Sequence, residues 1–200
     1  MYNVISTFEK TIAEFYNAPY AVSVDCCTHA IELALRLTNA NNVTCPSHTY
    51  ISVPFTFEKL GLQWKFEYNE WYDYYRIGNT NIVDAAVLWR ANSYIPDTLM
   101  CLSFQFNKHL SLGRGGMILL DNEDQYQTLI KMSYDGRNRG PRWATQNINT
   151  MGYHYYMTPE TANDGLEKFE VAKNTTPKRW AFSDYPYLPQ MDVFKSLILS

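Results

Sequence analysis

Long apolar runs are missing from this 200-residue chain, and no segment approaches the roughly 20 consecutive apolar residues that a membrane-spanning helix needs. A basic run is missing too. Lys and Arg number 17 against 20 Asp and Glu, for a net charge of −3, so the electrostatic footprint of a nucleic-acid binder is absent. Cysteine is scarce: Cys26, Cys27, Cys45 and Cys101 are the four present, and the first two are adjacent, an awkward start for a disulfide framework. Free thiols in a reducing compartment fit better. Met1 to Tyr16 carries Glu9, Lys10 and Glu14 inside a helical pattern and does not read as a secretory signal. The acceptor triplets Asn42-Val43-Thr44 and Asn174-Thr175-Thr176 are then expected to be accidental, and the expected location is the cytoplasm. Internal repeats and low-complexity segments are also lacking.

What is present is the composition of a folded domain: 46% hydrophobic residues, with 16 tyrosines and 10 phenylalanines. Ile5, Phe8, Ile12 and Phe15 recur at helical spacing, and Ala21 to Val24 reads as a short buried strand. A second helix follows, with Ala30, Ile31, Ala34 and Leu35 on one face. Strands are predicted at 43–45, 62–66, 81–84, 99–104 and 116–120, and helices near 50–60, 122–132 and 158–170. Asp121 or Asn122 is the expected cap of the second of these, and Thr158 starts the third with Pro159 in its first turn. The aromatic, polar stretch between Phe66 and Asn81 has no readable period. Val193, Phe194, Leu197, Ile198 and Leu199 mark a last apolar stretch.

Strands alternating with helices predict a three-layer α/β/α sandwich with a mostly parallel sheet. The expected division is a large domain over 1–173 and a short extension over 174–200. Such sheets bind ligands beyond the carboxyl ends of their strands. Four places fall there: Cys26-Cys27-Thr28, where a strand hands over to a helix; Asp84, ending an apolar strand; Ser103 to Lys108; and the turn Gly113-Arg114-Gly115-Gly116. A helix N-terminus suits a phosphate, though Thr28 also reads as a plain cap.

The run Ser103-Phe104, Lys108-His109-Leu110, Gly113, Gly115-Gly116-Met117 resembles the Schiff-base lysine segment of the DegT/StrS sugar aminotransferase family. Phe8-Glu9, Ala13, Tyr16, Ala21 to Val24, Thr28 and Ala30 are similar to that family's opening helix, strand and phosphate loop. Val83-Asp84-Ala85-Ala86 resembles its pyridine-nitrogen aspartate motif, and Gly152 to Thr158 with Ala162, Gly165 and Leu166 the segment that reaches into the neighbouring subunit. The ordered match runs from about Phe8 to Glu170.

The resemblance implies a fold-type I enzyme that uses pyridoxal 5'-phosphate, works as a homodimer, and moves an amino group from a donor such as glutamate to a nucleotide-linked keto-sugar. Lys108 would hold the cofactor through an imine and afterwards shuttle the proton. Asp84 would stay ionised against the pyridine nitrogen; Thr28, Cys27 and Ser103 would lie at the phosphate. Tyr50 would stack on the ring, and His154 would reach the partner's phosphate. A core-packing role for Tyr50 remains open.

Departures from the pattern are plain. Cys27 replaces a glycine, Val87 a glutamine, His154 an asparagine and Tyr156 an arginine. The stretch from Phe66 to Asp84 is short, and most of the family's small C-terminal domain is not found after Lys173; Asp184 to Pro189 reads as a remnant or a replacement lid. These departures support a second reading, a degenerate relative that binds the cofactor without turnover and serves as a partner or regulatory subunit. Arg137, Arg139 and Arg142 could meet a diphosphate or a carboxylate, or form an ordinary loop. A metal site from Cys26, Cys27, His29, Cys45 and His48 fits no standard spacing.

Overall fold

The computed structural model describes residues 2–198, with side chains as far as Lys195. Met1 and Leu199, and the side chains of Leu197 and Ile198, lie outside the described residues. Helices are α1 (Tyr2–Tyr16), α2 (Cys27–Thr38), α3 (Ser52–Lys59), α4 (Glu123–Ser133), α5 (Pro159–Lys173) and α6 (Asp192–Ile198). Strands are β1 (Tyr20–Val24), β2 (Asn42–Pro46), β3 (Gln63–Glu67), β4 (Tyr75–Arg76), β5 (Ile82–Asp84), β6 (Leu99–Ser103) and β7 (Gly116–Leu120). Five strands form one sheet in the order β1-β7-β6-β5-β4, and β2 pairs with β3 separately.

Alternation along the central strands explains the layers. Val22, Val24, Ile82, Leu99, Cys101, Ile118 and Leu120 pack on one face with Ala30, Ile31, Ala34 and Leu35 of α2. Ala21, Val83, Met100, Leu102, Met117 and Leu119 pack on the other, against Ile5, Phe8 and Ile12 of α1 and Phe169 of α5. Strands apolar on both faces demand helices on both faces, and the three-layer sandwich follows.

The sheet is mixed, which corrects the expectation of a mostly parallel one. Only β5 with β6 and β2 with β3 are parallel pairs. β7 runs against both β1 and β6, and β4 runs against β5. The reason lies in the connection: the glycine-containing loop of 104–115 between β6 and β7 forms turns and not the crossover helix that joins parallel neighbours. β1, β5 and β6 still point one way, so their carboxyl ends meet at one rim.

Local signals held at the helix ends. Asn122, rather than Asp121, caps α4 by accepting from the Gln125 N–H, and Thr158 caps α5 by accepting from Thr161. Asp121 instead accepts from the Asp97 N–H at 2.7 Å. Pro54 is tolerated in α3 because it falls in the first turn, where an amide has no partner within the helix. The 174–198 segment packs back on the rest: Leu188 donates its N–H to the Ser47 carbonyl, and Leu188 and Phe194 are fully buried.

The arginine loop belongs to the fold. Arg139 forms a fork with buried Glu9, at 2.7 and 2.9 Å, and Glu9 also accepts from the Ser23 amide and hydroxyl. Arg137 pairs with Asp135 at 2.8 Å and lies over the Tyr134 ring. Replacing Arg139 with Met strands the Glu9 carboxylate in the interior, so Arg139→Met should cost about 3 kcal/mol in urea unfolding. Adding Glu9→Gln to that protein should recover part of the loss.

Candidate active site

The common rim is where β1, β5 and β6 deliver Cys26 to Thr28, Asp84 and Ser103. Asp84 and Ser103 share the α2 side of the sheet by the two-residue period, following Ile82 on β5, and Leu99 and Cys101 on β6. Between them lies a cavity of about 740 Å³ counted out to its mouth. Cys27, Thr28, Tyr50, Asp84, Ser103 and Lys108 all line it. His154 does not: within this chain it lies outside, with Nδ1 3.0 Å from the Asp135 carboxylate and most of its ring in solvent. Arg137, Arg139 and Arg142 do not line the cavity either.

Asp84 is buried, with one carboxylate oxygen accepting from the Tyr75 hydroxyl at 2.6 Å and the other from the Ala86 N–H at 3.0 Å. Burial raises its pKa; the two hydrogen bonds and Lys108 oppose the rise. Its pKa therefore lies above the usual carboxylate value, and a cation in the cavity would stabilise its charge. Lys108 sits in the turn after β6, its N–H bonded to the Gln105 carbonyl. Burial lowers its pKa, while Cys27 and Asp84 push it back up. Among the described residues its ammonium has no hydrogen bond and no ion pair; its one close partner is the Trp180 ring, 5.3 Å away. A half-buried lysine and a buried aspartate thus face one cavity without a hydrogen bond or ion pair between them.

At the opposite wall, α2 begins at Cys27, and Cys26 offers no side-chain cap to its first amides. The Thr28 hydroxyl meets Ser52 at 2.8 Å instead of capping the helix. Gly116 makes the approach possible: a Cβ there would stand 2.5 Å from the Cys26 carbonyl carbon and the Cys27 nitrogen. Free N–H groups at a helix start form an anion seat. The Cys27 thiol stays neutral, because burial lifts its pKa well above the usual value.

Trp71 and Tyr75 line the cavity and carried no readable signal in the sequence. Tyr185 closes it further, and Val87, noted in the sequence as replacing a glutamine, presents an apolar wall. Tyr185 comes from the segment read as a remnant or lid, and its carbonyl accepts from His48 Nδ1 at 2.8 Å. Tyr50 is 56% exposed at the mouth, so it is not a core residue.

Beside the cavity, Asp25, Cys26 and His29 come within 4.8 Å of one another, whereas Cys45 and His48 do not join them. Asp25 is already engaged by His29 at 2.6 Å and by Arg114 at 2.7 Å. Burial disfavours the imidazolium, but the hydrogen bonds and charges of Asp25 and Cys26 together outweigh it and raise the His29 pKa from 6.5 to about 9. A folded value above the unfolded one means a contribution complete below pH 6.5 and lost as pH rises through about 9. Discounted for solvent at this half-buried pair, it amounts to about 1 kcal/mol. Urea unfolding of the wild type and His29→Gln should differ by that amount at pH 6 and converge above pH 9.

The sequence profile of the DegT/DnrJ/EryC1/StrS aminotransferase family matches residues 1–66 and 96–186. The chain belongs to this family. The matched segments carry Thr28, Ser103 and Lys108 of the cavity; the unmatched 67–95 carries Tyr75, Asp84 and Val87. Solved structures share the fold. The sugar aminotransferase CalS13 from Micromonospora echinospora superposes with a TM-score of 0.70 at 16% identity, over 85% of this chain and 61% of that one. AtS13 from Actinomadura melliaura gives 0.71 at 18%, over 85% and 60%. PseC of Helicobacter pylori, an aminotransferase involved in the biosynthesis of pseudoaminic acid, gives 0.64 at 11%, over 85% and 58%. At such identities these likenesses establish the fold, and this DegT-family chain spans under two thirds of each solved relative. No curated protein matches the sequence.

Proposed function

We propose that the cavity binds pyridoxal 5'-phosphate and that the protein transfers an amino group, from glutamate or a similar donor, to a nucleotide-linked keto-sugar. One observation carries this reading: the Lys108 ammonium, without a hydrogen-bond partner, faces the same enclosed space as the buried Asp84 carboxylate, and the open N-terminus of α2 lies at its wall. The donor set suits the cofactor. It has an amine for the aldehyde, an acid for the ring nitrogen, and amides with two hydroxyls for the phosphate.

When bound, the cofactor supplies an electron sink for charge developing at the donor's α-carbon. The chain's own residues divide the rest. Lys108 would hold the cofactor and then, as a free amine, would move the proton from the donor's α-carbon to the cofactor's C4′; burial favours the neutral amine this needs. Asp84 keeps the ring nitrogen protonated, and the same burial that makes its lone charge costly strengthens its hold on a cation. Thr28, Ser103 and the first amides of α2 orient the phosphate. Tyr50, at the mouth, is placed to cover the ring's open side, and Tyr185 limits water. A homodimer, with His154 turned toward the partner's phosphate, belongs to the same proposal.

Val87 favours a second reading, binding without turnover, because the wall it forms offers no hydrogen bond to the cofactor's phenolic oxygen. Purified protein supplied with pyridoxal phosphate, glutamate and a nucleotide-linked keto-sugar separates the two. Formation of the amino sugar supports the transferase. A coloured protein that never releases 2-oxoglutarate supports the binder, and a colourless one contradicts both.

A further inference from the structure

The short strand β4 places Tyr75 directly across from Asp84 in the antiparallel register. Cross-strand partners lie on the same face, so the phenol reaches the carboxylate and meets Asp84 Oδ2 at 2.6 Å. The other side of the Tyr75 oxygen bonds to the Thr49 hydroxyl. All three groups are buried and line the cavity. While Asp84 is ionised, only one proton arrangement satisfies this chain: Thr49 donates to Tyr75, and Tyr75 donates to Asp84. A protonated Asp84 would reverse it, donating to Tyr75, which would donate to Thr49. The Trp71 ring packs at a tilt against the Tyr75 ring, centroids 5.1 Å apart, and donates its indole N–H to the His48 carbonyl, which fixes the phenol in place.

We propose that Tyr75 is the positioning residue for Asp84, a two-step relay with Thr49 that holds the carboxylate ionised and aimed into the cavity. The inference deepens the function proposed above and rests on it for its purpose, though not for its test. Tyr75 and Asp84 both stand in the 67–95 stretch that the family profile does not match. Each Asp84 oxygen accepts one bond from the protein, which leaves further lone pairs for a ring N–H in the cavity. The ionisable groups facing Asp84 are Tyr75, Lys108, Cys27, Cys45, Cys101 and Tyr185. The thiols and phenols among them are held neutral by burial, so Lys108 supplies the positive charge.

The test is a carboxyl titration by NMR of protein carrying 13C-labelled aspartate, without cofactor, with the Asp84 resonance assigned from Asp84→Asn. Tyr75→Phe, which keeps the ring against Trp71, should raise the Asp84 midpoint by about one unit or more, since a hydrogen bond to a charged group is lost. Thr49→Val should move it the same way by less. Affinity for pyridoxal phosphate should weaken about tenfold in Tyr75→Phe, the same one unit expressed as an equilibrium constant. An unmoved Asp84 midpoint in both variants overturns the inference, and Thr49→Val decides alone if Tyr75→Phe does not fold. A failed cofactor reading would show elsewhere, as unchanged absorbance in Lys108→Ala, with the carboxyl titration still informative.

Discussion

In a Lys108→Ala protein, amino transfer should fall by at least about 10³-fold, since one side chain is asked both to hold the cofactor and to move the proton. The site gives no substitute. Among the described residues, Arg114 is the other basic side chain lining the cavity, and it is committed to Asp25 at 2.7 Å. Lys108→Arg should fare little better, because a guanidinium stays protonated where a neutral amine is required. The fold should tolerate the change to alanine: a desolvated ammonium is removed, and its only close partner is the Trp180 ring. Single-turnover absorbance and the thermal midpoint, measured on the same preparation, separate loss of chemistry from loss of structure. A variant retaining even a tenth of wild-type turnover would move the chemistry to another residue.

Asp84→Asn should lower turnover by about 10²–10³-fold, the size expected when one preorganised charge is taken from a dry site. The change is nearly isosteric, so packing against β4 and β6 is kept. The amide cannot hold a proton on the ring nitrogen, and binding should weaken along with catalysis. Asp84→Glu tests position rather than charge. With β5 only three residues long and Asp84 at its end, a longer side chain pushes the carboxylate off Tyr75 and into the cavity. Turnover below that of wild type with colour retained is the expected outcome, read from kcat against the visible spectrum.

Much of this site was legible in the sequence because its residues sit where local patterns end. Asp84 follows an apolar strand, Ser103 closes another, and Thr28 opens a helix whose apolar face repeats at the right period. Those features follow from backbone periodicity, which a linear sequence displays. Tyr75 was not legible, since its role comes from a two-residue strand whose register against β5 is set by tertiary packing. Trp180 and Tyr185 belong to a Pro- and aromatic-rich segment without a period, and only its return across the cavity gives them a task. The mixed sheet escaped for a related reason: strand direction depends on what the intervening loop can span. His154 lies beyond what one chain can display, as its proposed task concerns a second copy.

The state of Asp84 and Lys108 joins these points. A buried acid and a half-buried lysine face one cavity without an ion pair, an arrangement that disfavours the charge of each alone. Directly bonded, they would form a structural ion pair and leave no room between them. Held apart, they leave a gap whose chemistry calls for a ligand that carries an electrophile for the amine at one point and a basic ring nitrogen for the acid at another. Pyridoxal phosphate meets both demands and adds a phosphate for the α2 terminus. The remaining wall, with Val87, Trp71 and Tyr185, is apolar enough to keep water away from the charges.

The most direct measurement is the visible absorbance of the protein mixed with pyridoxal phosphate, before and after borohydride reduction, with the modified peptide then identified by mass. The account predicts a band absent from Lys108→Ala and, after reduction, a cofactor mass fixed on Lys108. Identical spectra from the two proteins, or a cofactor mass on any other lysine, would contradict it.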